Sequence, residues 1–243
     1  SADRRGLPGL VHPHGRGDTV QGHRRLLGDD RFTPTGVGIL PSPTSTEVPL
    51  PTATPTAEAI PFYEEDFSNP DSGWEQYNEF DGVLDYEDGF YRIWVQDAAL
   101  FFVWIEDQPN DVRIEVDAQK KDGPENNQFG IICRLDTGNT WDYYMFLISS
   151  EGKYGIAKNS RTEGIVWLGK AEMSPSNAIK LGNEINHIRA DCVGDTLSLY
   201  INDQKLLETQ DNTLPEGDVG LVAGSSVEGG VDILFDNFTL YAP

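Results

Sequence analysis

Glu115 and Asp117 stand two residues apart in the run Val112–Gln119, where Val112, Ile114, Val116 and Ala118 fill the alternate positions. In an extended strand that spacing sends both carboxylates to the face opposite the apolar set. Two carboxyl groups about 5–5.5 Å apart are what a retaining glycosidase uses as nucleophile and acid/base, so Glu115 and Asp117 are the residues on which a sugar-cleaving reaction would rest. The competing reading is a solvated polar face, with Arg113 beside Glu115 on the same side. A nucleophile elbow, a zinc ribbon, a metalloprotease helix, a phosphate loop and a dinucleotide fingerprint are all absent from the sequence. His187, the one histidine after residue 60, reads as a surface residue.

Binding without cleavage needs other side chains. Pyranose faces stack on aromatic rings, and sugar hydroxyls need paired polar groups. Two groupings meet that description. One is Trp94 with Arg92, on the face opposite Tyr91, Ile93 and Val95; the other is Trp141 with Asn139 and Asp142, at a strand start. Trp74, Trp104 and Trp167 are further candidates. Each ring competes with the ordinary use of tryptophan as core.

The elements that must position these residues are strands. From Pro61 onward, alternating or wholly apolar runs recur between Gly, Asn, Asp and Pro. Turn signals fall at Asp88-Gly89, Glu151-Gly152, Gly194-Asp195, Asn202-Asp203 and Gly229-Gly230. One helical turn is expected near Ser174–Ile179. In Thr140–Ser149 both faces are apolar or aromatic, which predicts a strand covered on both sides or one carrying part of a ligand-facing aromatic surface. About a dozen strands with almost no helix signal predict an all-β, two-sheet antiparallel sandwich over residues 61–243.

Residues 1–32 show neither a helical nor a strand period, and residues 33–60 form a Pro/Thr-rich linker or extended arm. The RFTPTGVGIL stretch, Arg31–Leu40, could be lent as a strand to another subunit's sheet edge. Residues 1–60 hold six Arg and six acidic residues, so the remaining twelve basic and thirty-four acidic residues carry the whole formal charge of −22. Such acidity disfavours nucleic acid and anionic membrane and suits a cation or a neutral partner such as a sugar. The longest apolar run, Ala98–Ile105, is far short of the roughly 20 residues of a membrane span. A chain beginning at Ser1 fits a mature form that has lost an export signal. Cys133 and Cys192 both point inward if their strand faces are core. In an exported protein they could form one bridge; otherwise they are two small buried thiols.

Several phrases together resemble a family. YEEDFSNPDSGW at 63–74, YEDGFYRI at 86–93, FGIICRLD at 129–136, YYMFLISSEGKYGIAK at 143–158, NHIRADCVGDTLSLYINDQKL at 186–206 and the closing GDVGLVAGSS and DILFDNFTLY are similar to extracellular concanavalin A-like (laminin-G-like) jelly rolls of bacterial proteins. The related 3-keto-disaccharide hydrolase domain shares that architecture. Asp203 departs from the pattern, standing where the hairpin usually has glycine. The resemblance implies a structural calcium between first and last strands, on Asp66 and Asp236 with Glu65 as helper. It also implies that Gln119 occupies the position of a third carboxylate in the glucanase pattern, which counts against catalysis by Glu115 and Asp117. The expectation is therefore a secreted or cell-surface, non-catalytic module that binds a glycan or another surface component or self-assembles. The alternatives are a subunit of an extracellular filament, packed through neighbouring copies, and a sugar-active hydrolase.

Overall fold

β-branched and aromatic residues dominate the runs after residue 60, and such side chains favour a pleated, half-buried backbone. The computed structural model describes residues 60–106, 108–138 and 140–243. Asn139 and the expected N-terminal segment, linker and Arg31–Leu40 arm lie outside the described residues.

The described chain forms strands β1 (Pro61–Glu65), β2 (Tyr77–Glu79), β3 (Gly82–Glu87), β4 (Phe90–Val95), β5 (Leu100–Ile105) and β6 (Val112–Asp122). Then follow β7 (Gln128–Leu135), β8 (Tyr143–Ile148), β9 (Lys153–Ser160), β10 (Gly164–Leu168) and the short β11 (Ser174–Pro175). The last five are β12 (Asn186–Val193), β13 (Thr196–Ile201), β14 (Gln204–Gln210), β15 (Asp218–Gly224) and β16 (Val231–Tyr241). All pairings are antiparallel, and they build two sheets. One runs β14-β13-β12-β6-β16-β4-β3-β2, with β1 sharing the second side of β16; the other runs β10-β9-β8-β7-β15-β5, with β11 on β9. The all-β two-sheet sandwich expected from the sequence is the observed architecture. Ser174–Ile179 is not helical: β11 pairs with Lys153 and Tyr154, and Ser176 closes a turn by accepting the Ala178 N–H.

The main core lies between the sheets, with Tyr91, Phe129, Phe146, Phe235 and Phe238 fully buried in it. The alternation of Val112–Ala118 turns inward as expected. Cys133 on β7 and Cys192 on β12 are joined by a disulfide that ties one sheet to the other across this core. Leu135 leaves the face of Cys133 and Ile131 and joins a second apolar cluster on the other side of its sheet. The reason is Arg134, at φ 54°, which shifts the β7–β15 register and displaces the alternation by one residue. Asn237 does the same on β16, at φ 53°, so that Phe235, Phe238 and Leu240 all point inward. The β13–β14 turn has both Asn202 and Asp203 at positive φ, the geometry of a type I′ hairpin, with Asp203 doing what glycine does more easily.

Candidate aromatic shelf and acidic cleft

The second apolar cluster is on the outer face of the seven-stranded sheet. Its floor is Ile132, Met145, Leu147, Ala157 and Val222, all buried, although the main core is on the sheet's other side. Rings form the roof. Phe102, Trp104, Trp141 and Tyr143 lie with successive centroids 5.1–6.3 Å apart in tilted and edge contacts, the separations at which aromatic pairs attract. Burial pushes the Tyr143 hydroxyl up to about 12, which marks it as the ring set deepest among the four.

Trp141 is the outermost, 44% exposed, and its backbone sits at φ 59°. A bulky residue in the left-handed region is strained, and it persists only where surroundings hold it. Here the Trp141 N–H donates to the Asp136 carbonyl at 2.9 Å, and Asn159 Nδ2 donates to the Trp141 carbonyl at 3.2 Å. The Asp136 carboxylate accepts the Gly138 N–H at 3.1 Å and the Thr140 hydroxyl at 3.0 Å, folding the 136–142 loop on itself. Asp142 accepts the Arg161 N–H at 2.7 Å and fixes the loop to the end of β9.

The other side of this loop lines a cleft of about 510 Å³, within the range of small-molecule sites. Its walls are residues 135–138, 140 and 142 on one side and 213–218 on the other. Thr137 donates to Asp218 at 3.3 Å between those walls. The second wall is held from beneath. Arg134, almost wholly buried, donates to the carbonyls of Leu214 at 3.0 Å and Gly194 at 2.6 Å. Tyr144 donates to Asp211 at 2.6 Å and accepts the Leu214 N–H at 3.1 Å. Gly217 lets the wall close onto β7, since a Cβ there would meet the Leu135 backbone at 2.6 Å. The lining carries Asp136, Asp142, Glu216 and Asp218 and no Lys or Arg.

No family model matches the chain, and no curated protein matches it in sequence. Solved structures do. A Bacillus subtilis protein of unknown function with a galectin-like fold superposes with a TM-score of 0.55 at 14% identity, over 76% of this chain and 97% of that one. A GlcNAcα1-4Gal-releasing endo-β-galactosidase from Clostridium perfringens gives 0.55 at 10% identity, over 78% and 65%. A xylan β-1,4-xylosidase from Bacillus halodurans C-125 gives 0.54 at 14%, over 79% of this chain and 41% of that one. The fold is a concanavalin A-like jelly roll.

Within this jelly roll the two aromatic groupings expected from sequence separate. Trp141 and Asp142 belong to the shelf and cleft, and Trp104 of the further candidates joins them. Arg92 and Trp94 lie on the outer face of the opposite, nine-stranded sheet. There Arg92 is committed to Asp232 in a two-pronged pair at 2.7–2.8 Å and to Glu87 at 3.1 Å, while Trp94 pairs across the strands with Val83 and Asp232. Trp74 is core, packed on Phe67 and Phe238.

Glu115 and Asp117 also face outward from the nine-stranded sheet of the jelly roll. His187 bridges them, with Nδ1 2.8 Å from Asp117 and Nε2 3.6 Å from Glu115, and Asn237 donates to Asp117 at 2.9 Å. Asp117, first, and Glu115 raise the imidazole to about 9, so it is a cation at neutral pH. The same bond holds Asp117 below the usual carboxylate range. His187 is therefore more than a surface residue; the register of β12 against β6 sets it opposite Asp117.

The three expected calcium ligands are engaged locally. Asp66 accepts the Ser68 N–H and hydroxyl, Glu65 the Phe67 N–H, and Asp236 the Asn237 N–H. Burial raises the Asp236 carboxyl, with Asp117 and Asp66 adding to it. Calcium wants six to eight oxygens, and among the described residues no group of three or more His, Cys, Asp or Glu is arranged to hold a metal ion. No helix among the described residues is long and apolar enough to cross a membrane.

Proposed function

We propose that the domain is a non-catalytic module that binds a neutral glycan on the aromatic shelf, with Trp141 as the principal stacking ring. The observation that carries this reading is Trp141 itself. A large apolar ring is kept in a strained left-handed backbone, half in solvent, on a loop whose other side is a polar cleft. Fold alone supports no function; the pairing of ring and polar groups supports this one. The acidic lining favours ligands without negative charge. An exported or surface-displayed setting agrees with the bridged cysteines.

Cleavage is disfavoured because Glu115 and Asp117 lie on the sheet opposite the cleft and share one imidazolium. The test is tryptophan fluorescence and calorimetric titration of the full chain with xylose-, galactose- and glucose-based oligosaccharides. Saturable binding is expected with at least one series, and Trp141→Ala should weaken it about tenfold, equivalent to about 1.4 kcal/mol. Binding by Trp141→Ala at the wild-type affinity, or no binding across all three series, would sink the reading.

A further inference from the structure

Strand registers reveal a line of side chains that runs across the whole aromatic face. Trp104 on β5 lies opposite Gly220 on β15, Gly220 opposite Ile132 on β7, and Ile132 opposite Met145 on β8. Met145 in turn lies opposite Ala157 on β9, and Ala157 opposite Trp167 on β10. One cross-strand row therefore has a tryptophan at each end and only Gly, Ile, Met and Ala between them. Both end rings belong to the outer apolar cluster and are partly exposed, while the residues between are buried beneath. Trp167 is laid down across its neighbour: a Cβ on Gly155 would come within 2.8 Å of its six-membered ring. At about 4.8 Å per strand, five spacings separate the row's ends by about 24 Å.

We propose that the shelf takes an extended internal stretch of a neutral polysaccharide, laid across the strands from Trp104 to Trp167, rather than a terminal sugar. This rests on the glycan-binding reading above. A pyranose unit advances an extended chain by about one strand spacing, so on the order of five units bridge the two tryptophans. The row holds no charged side chain from end to end, so nothing in it pairs with a uronate or sulfate group and nothing in it repels an uncharged sugar. Partly exposed rings at both ends, held apart by the buried residues between them, suit the repeating ring faces of a polymer.

The experiment is a titration of the full chain with a ladder of oligosaccharides, disaccharide to octasaccharide, of the series that binds in the panel above. Affinity should climb with each unit to about five and then level off. Trp167→Ala should weaken hexasaccharide binding about tenfold and leave trisaccharide binding at Trp141 unchanged. Gly155→Ala, which displaces the Trp167 ring without removing it, should fall between, and Trp167→Phe should restore most of the loss. Thermal melts establish that each variant is folded. A plateau at two units, or equal loss of trisaccharide and hexasaccharide binding in folded Trp167→Ala, overturns the extended-chain proposal while the parent reading stands. If no series binds at all, the parent reading falls and this proposal with it.

Discussion

The two outer faces of the sandwich obey the same alternation and have opposite chemistry. On the nine-stranded sheet the outward positions are filled by partners: Arg92 with Asp232 and Glu87, Arg189 with Asp191, Lys205 with Glu208, and His187 between Asp117 and Glu115. Arg189 also stacks on Tyr200, 4.3 Å from the ring centre. Each of these cations is answered by a carboxylate on its own face. On the seven-stranded sheet the centre of the outer face is a buried aliphatic floor under rings, of which Trp104, Trp141 and Trp167 reach solvent. Large rings left partly in solvent side by side on one face ask for a role. A polar surface whose cations are paired and a set of rings left in solvent teach where to look, even though the carboxylate pair first drew attention to the other sheet.

The largest effect expected from dividing the two faces is on stability. Replacing Cys133 and Cys192 by Ser removes the tie between the sheets; closing a loop of 59 residues is worth about 4 kcal/mol in the chain-entropy account. Urea unfolding should show that loss, while oligosaccharide affinity measured well below the melting temperature stays unchanged, because neither cysteine touches the shelf. A parallel loss of affinity would mean that the faces are coupled through the core.

A smaller change should act on one face only. Trp141→Gly removes the ring and supplies the residue that tolerates φ near 59°. Affinity should drop about tenfold or more, while the melting temperature holds or rises by a degree or two. A fall in melting temperature as large as that of a core deletion would show the ring to be structural.

The least effect belongs to the charged face. His187 has its folded-state value raised to about 9 from 6.5, so its contribution to stability is complete below about pH 6.5 and is lost as pH rises through 9. Screening at this half-exposed site keeps the contribution under about 1 kcal/mol. Asp117→Asn should flatten the stability profile between pH 6.5 and 9.5 and leave glycan binding untouched. An unchanged profile would remove the pair from the account of that face.

Much of this was legible in the sequence. Alternation in Val112–Ala118, the two apolar faces of Thr140–Ser149 and the Asn202-Asp203 turn all have the structure their patterns implied. The doubly apolar β8 and the apolar run of β5 were local signs that a second cluster lay outside the main core. What escaped was set by distance along the chain. Arg134 carries no local signal for a left-handed backbone, and Asn237 only the general tolerance of Asn for it, so the displaced alternation after each was not read from residue types. The cleft's second wall, 213–218, is brought to the 136–142 loop by a buried arginine nearly 80 residues away in sequence. His187 meets Asp117 only because β12 lies beside β6. Trp94 and Trp141 looked equivalent as ring-plus-polar groupings, and only the sheet order separates them.

The first and last strands of the domain lie side by side, with Pro61 across from Tyr241. A pulling force applied between those two residues would therefore open β1 from β16 like a zipper, one rung at a time, instead of shearing all rungs together. Yielding would begin at a low load and stay confined to that seam. The stretch between Cys133 and Cys192, which includes β8 and its rings, is closed by a covalent bond and would add no length to the extension. In mechanical terms Trp141 and Trp167 ride inside a locked loop, and the soft element is the β1–β16 seam.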